Sequence, residues 1–248
     1  MKQVKGNSRA TADEAGAESS KATIPKSTHG GRRPGAGRPR SQPRKRVAHV
    51  SRGDHPARLP VHVTLRSRLR KLRSEVILKA FARAIAAANR RHEERFRIAH
   101  YSLQENHVHL IVEAECAQDL SRGMQGLAVR LAHRLNRVLR RRGTFWADRF
   151  HSRQLLNPAE VRRVLVYVHA NHRKHQPALR AGIDPYSSGI WFTGWEENRP
   201  LPLSVAISKR TLDFERAPVV RARTRLLRDA WRLNGRISIE EAPVRETR

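Results

Sequence analysis

Residues 105–115 read ENHVHLIVEAE. Side chains alternate between the two faces of an extended strand, so His107, His109, Ile111 and Glu113 share one face and Val108, Leu110 and Val112 the other. The second set is wholly apolar, which commits the segment to a sheet packed against a core. The first set puts two imidazoles, two residues apart, on the face left open. On spacing alone, such a pair is more often an ordinary polar face than a pair of metal ligands.

The flanking segments supply the rest of a domain. LPVHVTLR (59–66) alternates Val61, Val63 and Leu65, which predicts a strand. Residues 74–95 predict a helix with Ser74 as N-cap and Val76, Ile77, Ala80, Phe81, Ala84 and Ile85 at helical spacing. RFRIAHYSLQ (95–104) predicts a second strand, with a tight turn at Glu105-Asn106 leading into the histidine strand. Residues 118–141 predict an amphipathic helix with Met124, Leu127, Leu131, Leu135 and Val138 inward. A turn at Gly143 leads into TFWADRFHSRQLL (144–156), a short strand or extended segment. A third helix follows over 157–171, with Asn157 as cap and Pro158 at its first position. The order βαββαβα describes an α+β fold, a ferredoxin-like (RRM-like) split β-α-β sheet with helices on one face.

Around this core the composition changes. Residues 1–58 contain no Phe, Trp or Tyr and cannot bury enough apolar surface to offset their ordering entropy, so a disordered basic arm is expected there. GRRPGAGRPRSQPRKR (31–46) has seven basic residues and no acid, and Arg38, Arg40, Arg44, Lys45 and Arg46 are candidate phosphate contacts. GRPR resembles a minor-groove AT-hook core, but Ala36 stands where that motif wants arginine, which favours a non-specific arm. The domain core is expected over 59–182. A C-terminal extension over 183–248 is expected to include a basic helix at 218–233. Its Trp191 and Trp195 could stack on unpaired bases, although packing against the domain's own surface is the more common role for such residues.

The chain of 248 residues has 51 Lys+Arg against 22 Asp+Glu, a formal net charge of +29. That excess favours a polyanionic partner, nucleic acid before an anionic membrane surface. There is no run of about 18 apolar residues and no signal-peptide core, which predicts a soluble intracellular protein without a membrane partner. The single cysteine excludes an intrachain disulfide and any multi-thiolate metal site.

A further feature lies in the third helix. Val161, Val164, Leu165 and Val168 form its apolar stripe, and Tyr167 and Asn171 fall on the flank of that stripe, one turn apart. On periodicity, Tyr167 is either a half-buried boundary residue or a phenol projecting across the sheet.

Four segments now match a known pattern: PVHVTLR (60–66), AHYSLQENHVHLIVE (99–113), GTFWADRFHSRQL (143–155) and VLVYVHAN (164–171). Together they resemble the REP-associated tyrosine transposases of the HUH superfamily of single-strand DNA transposases. The resemblance covers about residues 60–182. It implies that His107 and His109 bind a divalent ion, Mg²⁺ or Mn²⁺, that Tyr167 is the nucleophile, and that Asn171 is a candidate third ligand. Gln104-Glu105 stand where the family usually has Met-Pro, and His172 where it has proline. Arg149 and Arg153 are expected near the site, as phosphate contacts or as solvated surface residues.

The function implied is metal-dependent cleavage and rejoining of single-stranded DNA through a 5′-phosphotyrosine, at hairpin- or repeat-bearing ends, by a monomer or a homodimer. The alternative is an inactive or domesticated DNA-binding copy. A small-molecule metallohydrolase using the H-x-H pair is opposed by the charge, by the lack of a carboxylate-rich site and by the lack of a Gly-rich phosphate loop.

Overall fold

The elements run β1 (Val61–Arg66), α1 (Glu75–His92), β2 (Phe96–Leu103), β3 (His107–Ala114), α2 (Ala117–Val138), β4 (His151–Gln154) and α3 (Pro158–Ala170). The computed structural model describes residues 54–92, 94–175, 182–196 and 216–243. Arg38, Arg40, Arg44, Lys45 and Arg46, with nearly all of the expected basic arm, lie outside the described residues.

The strands form one sheet in the order β2-β3-β1-β4. Every neighbouring pair is antiparallel. This is the ferredoxin-like order that the element sequence predicts. Gln104 donates its backbone N–H to His107 O at 2.9 Å and closes the tight β2–β3 turn at Glu105-Asn106.

The apolar sets of β1 and β3 meet α1 and α2 to form the core. Val61, Val63, Leu65, Val108, Leu110 and Val112 are buried there with Phe81, Ile85, Leu127 and Leu131. Each such side chain contributes about 1.5–3 kcal/mol by leaving water. Gly123 lets α2 cross the start of β2, because a Cβ there would lie 2.3 Å from the Phe96 ring. Val76 and Val138 depart from the inward set and are 58% and 36% exposed. Val76 falls in the first turn of α1 and Val138 in the last turn of α2.

The helices do not all lie on one face. α3 packs over the histidine face, where Tyr167 meets His109 and His169 meets His100. The face expected to be open is therefore covered, and His109, Ile111 and Glu113 are all buried. α3 itself starts as its sequence dictates. Asn157 Oδ1 accepts Glu160 N–H at 2.9 Å, while the Glu160 carboxylate accepts Leu156 N–H at 2.7 Å. Caps of this kind are worth about 1 kcal/mol.

The C-terminal segments complete the covering layer. Ile190, Trp195, Leu227, Trp231 and Ile237 are buried in the same core as the sheet. The basic helix expected over 218–233 is instead a short helix, α5 (Arg225–Arg228), and a 3₁₀ turn, Ala230–Asn234, following the short α4 (His172–His175). Its first residues stay extended because Val220 N–H bonds Ile98 O and the N–H groups of Arg223 and Thr224 bond the Glu113 carboxylate. Arg162 of α3 donates to both Glu241 carboxylate oxygens, at 2.7 and 2.8 Å, and to the carbonyls of Gly235 and Arg236.

Candidate active site

Strand register builds the site. Thr64 stands opposite His109 and Arg66 opposite His107, with His62 opposite Ile111, so all of these project from one face. β4 adds His151 opposite Thr64 and Arg153 opposite His62. α3 then lays the Tyr167 ring across this surface, 4.9 Å from the His109 ring and 6.0 Å from that of His62, edge-on to both.

The two histidines of the H-x-H pair turn the same nitrogen towards each other, His107 Nε2 and His109 Nε2 being 2.9 Å apart. Asn106 Oδ1 accepts a hydrogen bond from His107 Nδ1 at 2.7 Å, so that nitrogen carries the proton and Nε2 keeps its lone pair. His109 Nδ1 is held by His62 Nε2 at 3.1 Å and Thr64 Oγ1 at 3.2 Å. The short gap between the two Nε2 atoms needs a proton or a cation in it, since two lone pairs would repel. Partners that fix the far nitrogen are what orient imidazole ligands.

His62 belongs to this group although attention to H-x-H alone misses it. The signal was available in VHVTLR, whose alternation sends His62, Thr64 and Arg66 to the face opposite Val61, Val63 and Leu65. Burial, reinforced by the charges of Arg153, His151 and His107, lowers the His62 pKa to about 4 and keeps it neutral near pH 7.

Asn171 caps the C-terminal end of α3, one turn beyond Tyr167. It is 1% exposed, and neither Oδ1 nor Nδ2 of its amide has a hydrogen-bond partner. An amide so buried and unpaired is costly unless a further group satisfies it. Among the described residues no three His, Cys, Asp or Glu side chains are grouped to hold a metal ion.

The other expected residues divide. Arg153 is on the histidine face and pairs with Glu160 at 3.5 Å. Arg149 is not there; it lines a groove on the α2 side of the sheet with Trp146 and Phe150. Beside His107 a cleft is walled by Arg66, Arg70, Arg73, Asn106 and His172. Arg73 is committed to the fold, gripping Asp184 through two bonds of 2.9 and 2.7 Å. Arg66 and Arg70 are exposed.

Of the three tyrosines, Tyr101 is fully buried against Phe81, and burial, with the nearby Asp184 carboxylate, pushes its pKa far up. Tyr186 lies under the Arg73 guanidinium, 4.4 Å from its ring centre. Tyr167 alone faces the histidines. Among the described residues no helix is long and apolar enough to cross a membrane.

Comparison with known proteins adds three findings. Residues 57–171 match the family model described as "Transposase IS200 like". A solved structure entitled "Structure of the REP associates tyrosine transposase bound to a REP hairpin" is similar at 19% identity and a TM-score of 0.43, covering 52% of this chain and 75% of that one. No curated protein matches. The matched span contains β1 to α3 with His62, His107, His109, Tyr167 and Asn171, and over residues 57–171 the chain is similar to the IS200-like transposase family.

Proposed function

We propose that this chain cleaves and rejoins single-stranded DNA at hairpin- or repeat-bearing ends, with Tyr167 as nucleophile and a divalent ion held by His107, His109 and Asn171. The observation that carries the reading is the 2.9 Å approach of the two Nε2 atoms directly beside the Tyr167 ring. Two nitrogen ligands at about 2.1 Å in adjacent positions around one ion lie about 3 Å apart, so the pair fits such an ion without rearrangement. Asn171 supports the set because its buried amide lacks any other partner.

A bound Mg²⁺ or Mn²⁺ supplies charge stabilisation to the scissile phosphate. The residues of the chain do the remainder. Tyr167 Oη attacks phosphorus as its phenol loses a proton, the P–O3′ bond breaks, and the departing O3′ takes up a proton. The 5′-phosphotyrosine conserves the ester, and a 3′-hydroxyl of a second DNA end reverses the step without ATP. Asn106, His62 and Thr64 hold the two imidazoles by their Nδ1 atoms. Arg66 and Arg153, on the same face, attract the phosphates flanking the cleaved bond, and the +29 charge draws the strand in.

The test is to incubate the protein with end-labelled single-stranded and duplex DNA carrying a hairpin, with Mn²⁺, and to resolve products on denaturing gels. A protein–DNA adduct on the single-stranded substrate that maps to Tyr167 is the expected result. No adduct with any metal, alongside retained DNA binding, would favour an inactive DNA-binding copy instead.

A further inference from the structure

A second cleft lies at the β2 edge of the sheet, between the 3₁₀ turn Ser188–Trp191 and the C-terminal segment, with a volume of about 410 Å³. Its wall is aromatic, formed by Trp191, Phe192, Trp231 and His100, and its rim carries Arg221 and Arg232. None of these residues falls within the matched transposase span or the histidine site, apart from His100, which enters from β2.

The aromatic groups are fixed in a stack. Phe192 stacks at a tilt of 29° on Trp231, 5.6 Å away, and of 30° on His169, 4.8 Å away. The two tryptophans singled out in the sequence separate here. Trp195 is buried and donates its indole N–H to Gly189 O at 2.9 Å, which makes it part of the core. Trp191 is only half-buried and lines the cleft. At the rim, Arg228 and Arg232 share Asp229, while Arg221 is exposed beside them, leaving an excess of two positive charges. An apolar peptide would gain nothing from that excess; a polyanion with flat apolar units would use both features. Aromatic faces combined with a basic margin are the means by which single-stranded nucleic acids are held without base pairing.

We propose that this cleft is a nucleobase subsite, in which one unpaired base of a bound single strand stacks on Trp191 while its flanking phosphate sits on Arg221. The proposal extends the reading of the chain as a single-strand DNA enzyme but needs no cleavage.

The experiment is equilibrium binding of the full chain to a fluorescent twelve-residue oligothymidylate and to an abasic oligomer of the same length, with chelator present so that no chemistry occurs. Trp191→Leu should weaken binding of the oligothymidylate about tenfold, or about 1.4 kcal/mol. It should leave the abasic oligomer unaffected. Arg221→Ala should weaken both oligomers alike and reduce the salt slope by about one. Trp191→Phe guards against a folding defect in the leucine variant and should show a smaller loss, again for the base-bearing oligomer alone. Equal loss for both oligomers in the Trp191 variants, or loss for neither, overturns the subsite. Because the measurement excludes metal, it stands or falls separately from adduct formation at Tyr167.

Discussion

Glu113 accepts two hydrogen bonds from Thr224, from its backbone N–H at 2.8 Å and its hydroxyl at 2.7 Å, and thereby pins the C-terminal segment to the middle strand of the histidine face. The carboxylate also takes Arg223 N–H at 2.9 Å and lies 4.0 Å from the buried Arg97 guanidinium. Replacing it with alanine leaves three donors without their acceptor and removes the carboxylate beside Arg97, at a cost of about 3–5 kcal/mol. Chemical denaturation of Glu113→Ala should show that loss, and a midpoint close to wild type would mean the contact is incidental.

The histidine pair should separate folding from chemistry. His107→Ala removes no member of the apolar core, so its melting curve should stay near wild type, whereas His109→Ala empties a buried position beneath Tyr167 and should melt lower while remaining folded. Cleavage, titrated against Mn²⁺, should fall at least a hundredfold in each. Asn171→Ala should fall less, because an amide oxygen is a weaker donor than imidazole for this ion. Unchanged rates in both histidine variants would remove the ion from the mechanism.

Three single substitutions exhaust the tyrosines. Tyr167→Phe should bind DNA normally and form no adduct, whereas Tyr186→Phe should form it. Tyr101→Phe should also form it and be as stable as wild type or up to about 1 kcal/mol more stable. Its hydroxyl is buried without a hydrogen-bond partner, and removing it relieves a desolvation cost. Peptide mapping of the DNA-linked fragment decides between the three.

A stability loss in mild acid should come from the paired imidazoles His100 and His169, 3.2 Å apart beneath Phe192. Burial pushes His100 down to about 3, and burial with the neighbouring His100 pushes His169 well below its usual range. Both are neutral in the folded chain and protonate more readily when unfolded. Their contribution is therefore complete above about pH 6.5 and is lost as pH falls towards the folded values. Each contributes at most about 1.4 kcal/mol per pH unit. Melting temperature should fall between pH 7 and pH 5, and His100→Gln should flatten that fall; a slope unaltered by the substitution would assign it to other groups.

Alternation and helical spacing carried the sheet, its strand order and the cap at Asn157, because these follow from neighbours close in sequence. They also carried Tyr167 onto the flank of α3. The second layer was not legible in the same way. Glu113 and Ile111 read as solvent-facing because β3 alternates, yet the residues that cover them lie on α3 and more than a hundred positions further on. The helix expected over 218–233 failed for the same reason, since its local propensity is overridden by the Glu113 carboxylate drawing the Arg223 and Thr224 amides into an extended path. Arg149 was misplaced because the segment 143–150 returns to the α2 side before β4 begins. His62 was within reach, had β1 and β3 been laid side by side.

The attachment of α3 to Glu241 through Arg162 bears on the order in which the chain becomes functional during synthesis. The sheet, α1 and α2 are complete once about residue 154 has emerged, and α3 soon after, but its outer flank still lacks Trp231 and the carboxylate that anchors Arg162. A nascent chain halted before residue 241 holds Tyr167 on a helix whose Arg162 still lacks its carboxylate partner. The end of the matched span, at residue 171, and Glu241, which anchors Arg162, are some seventy residues apart. The last described turn is thus what completes the seating of the helix that carries Tyr167.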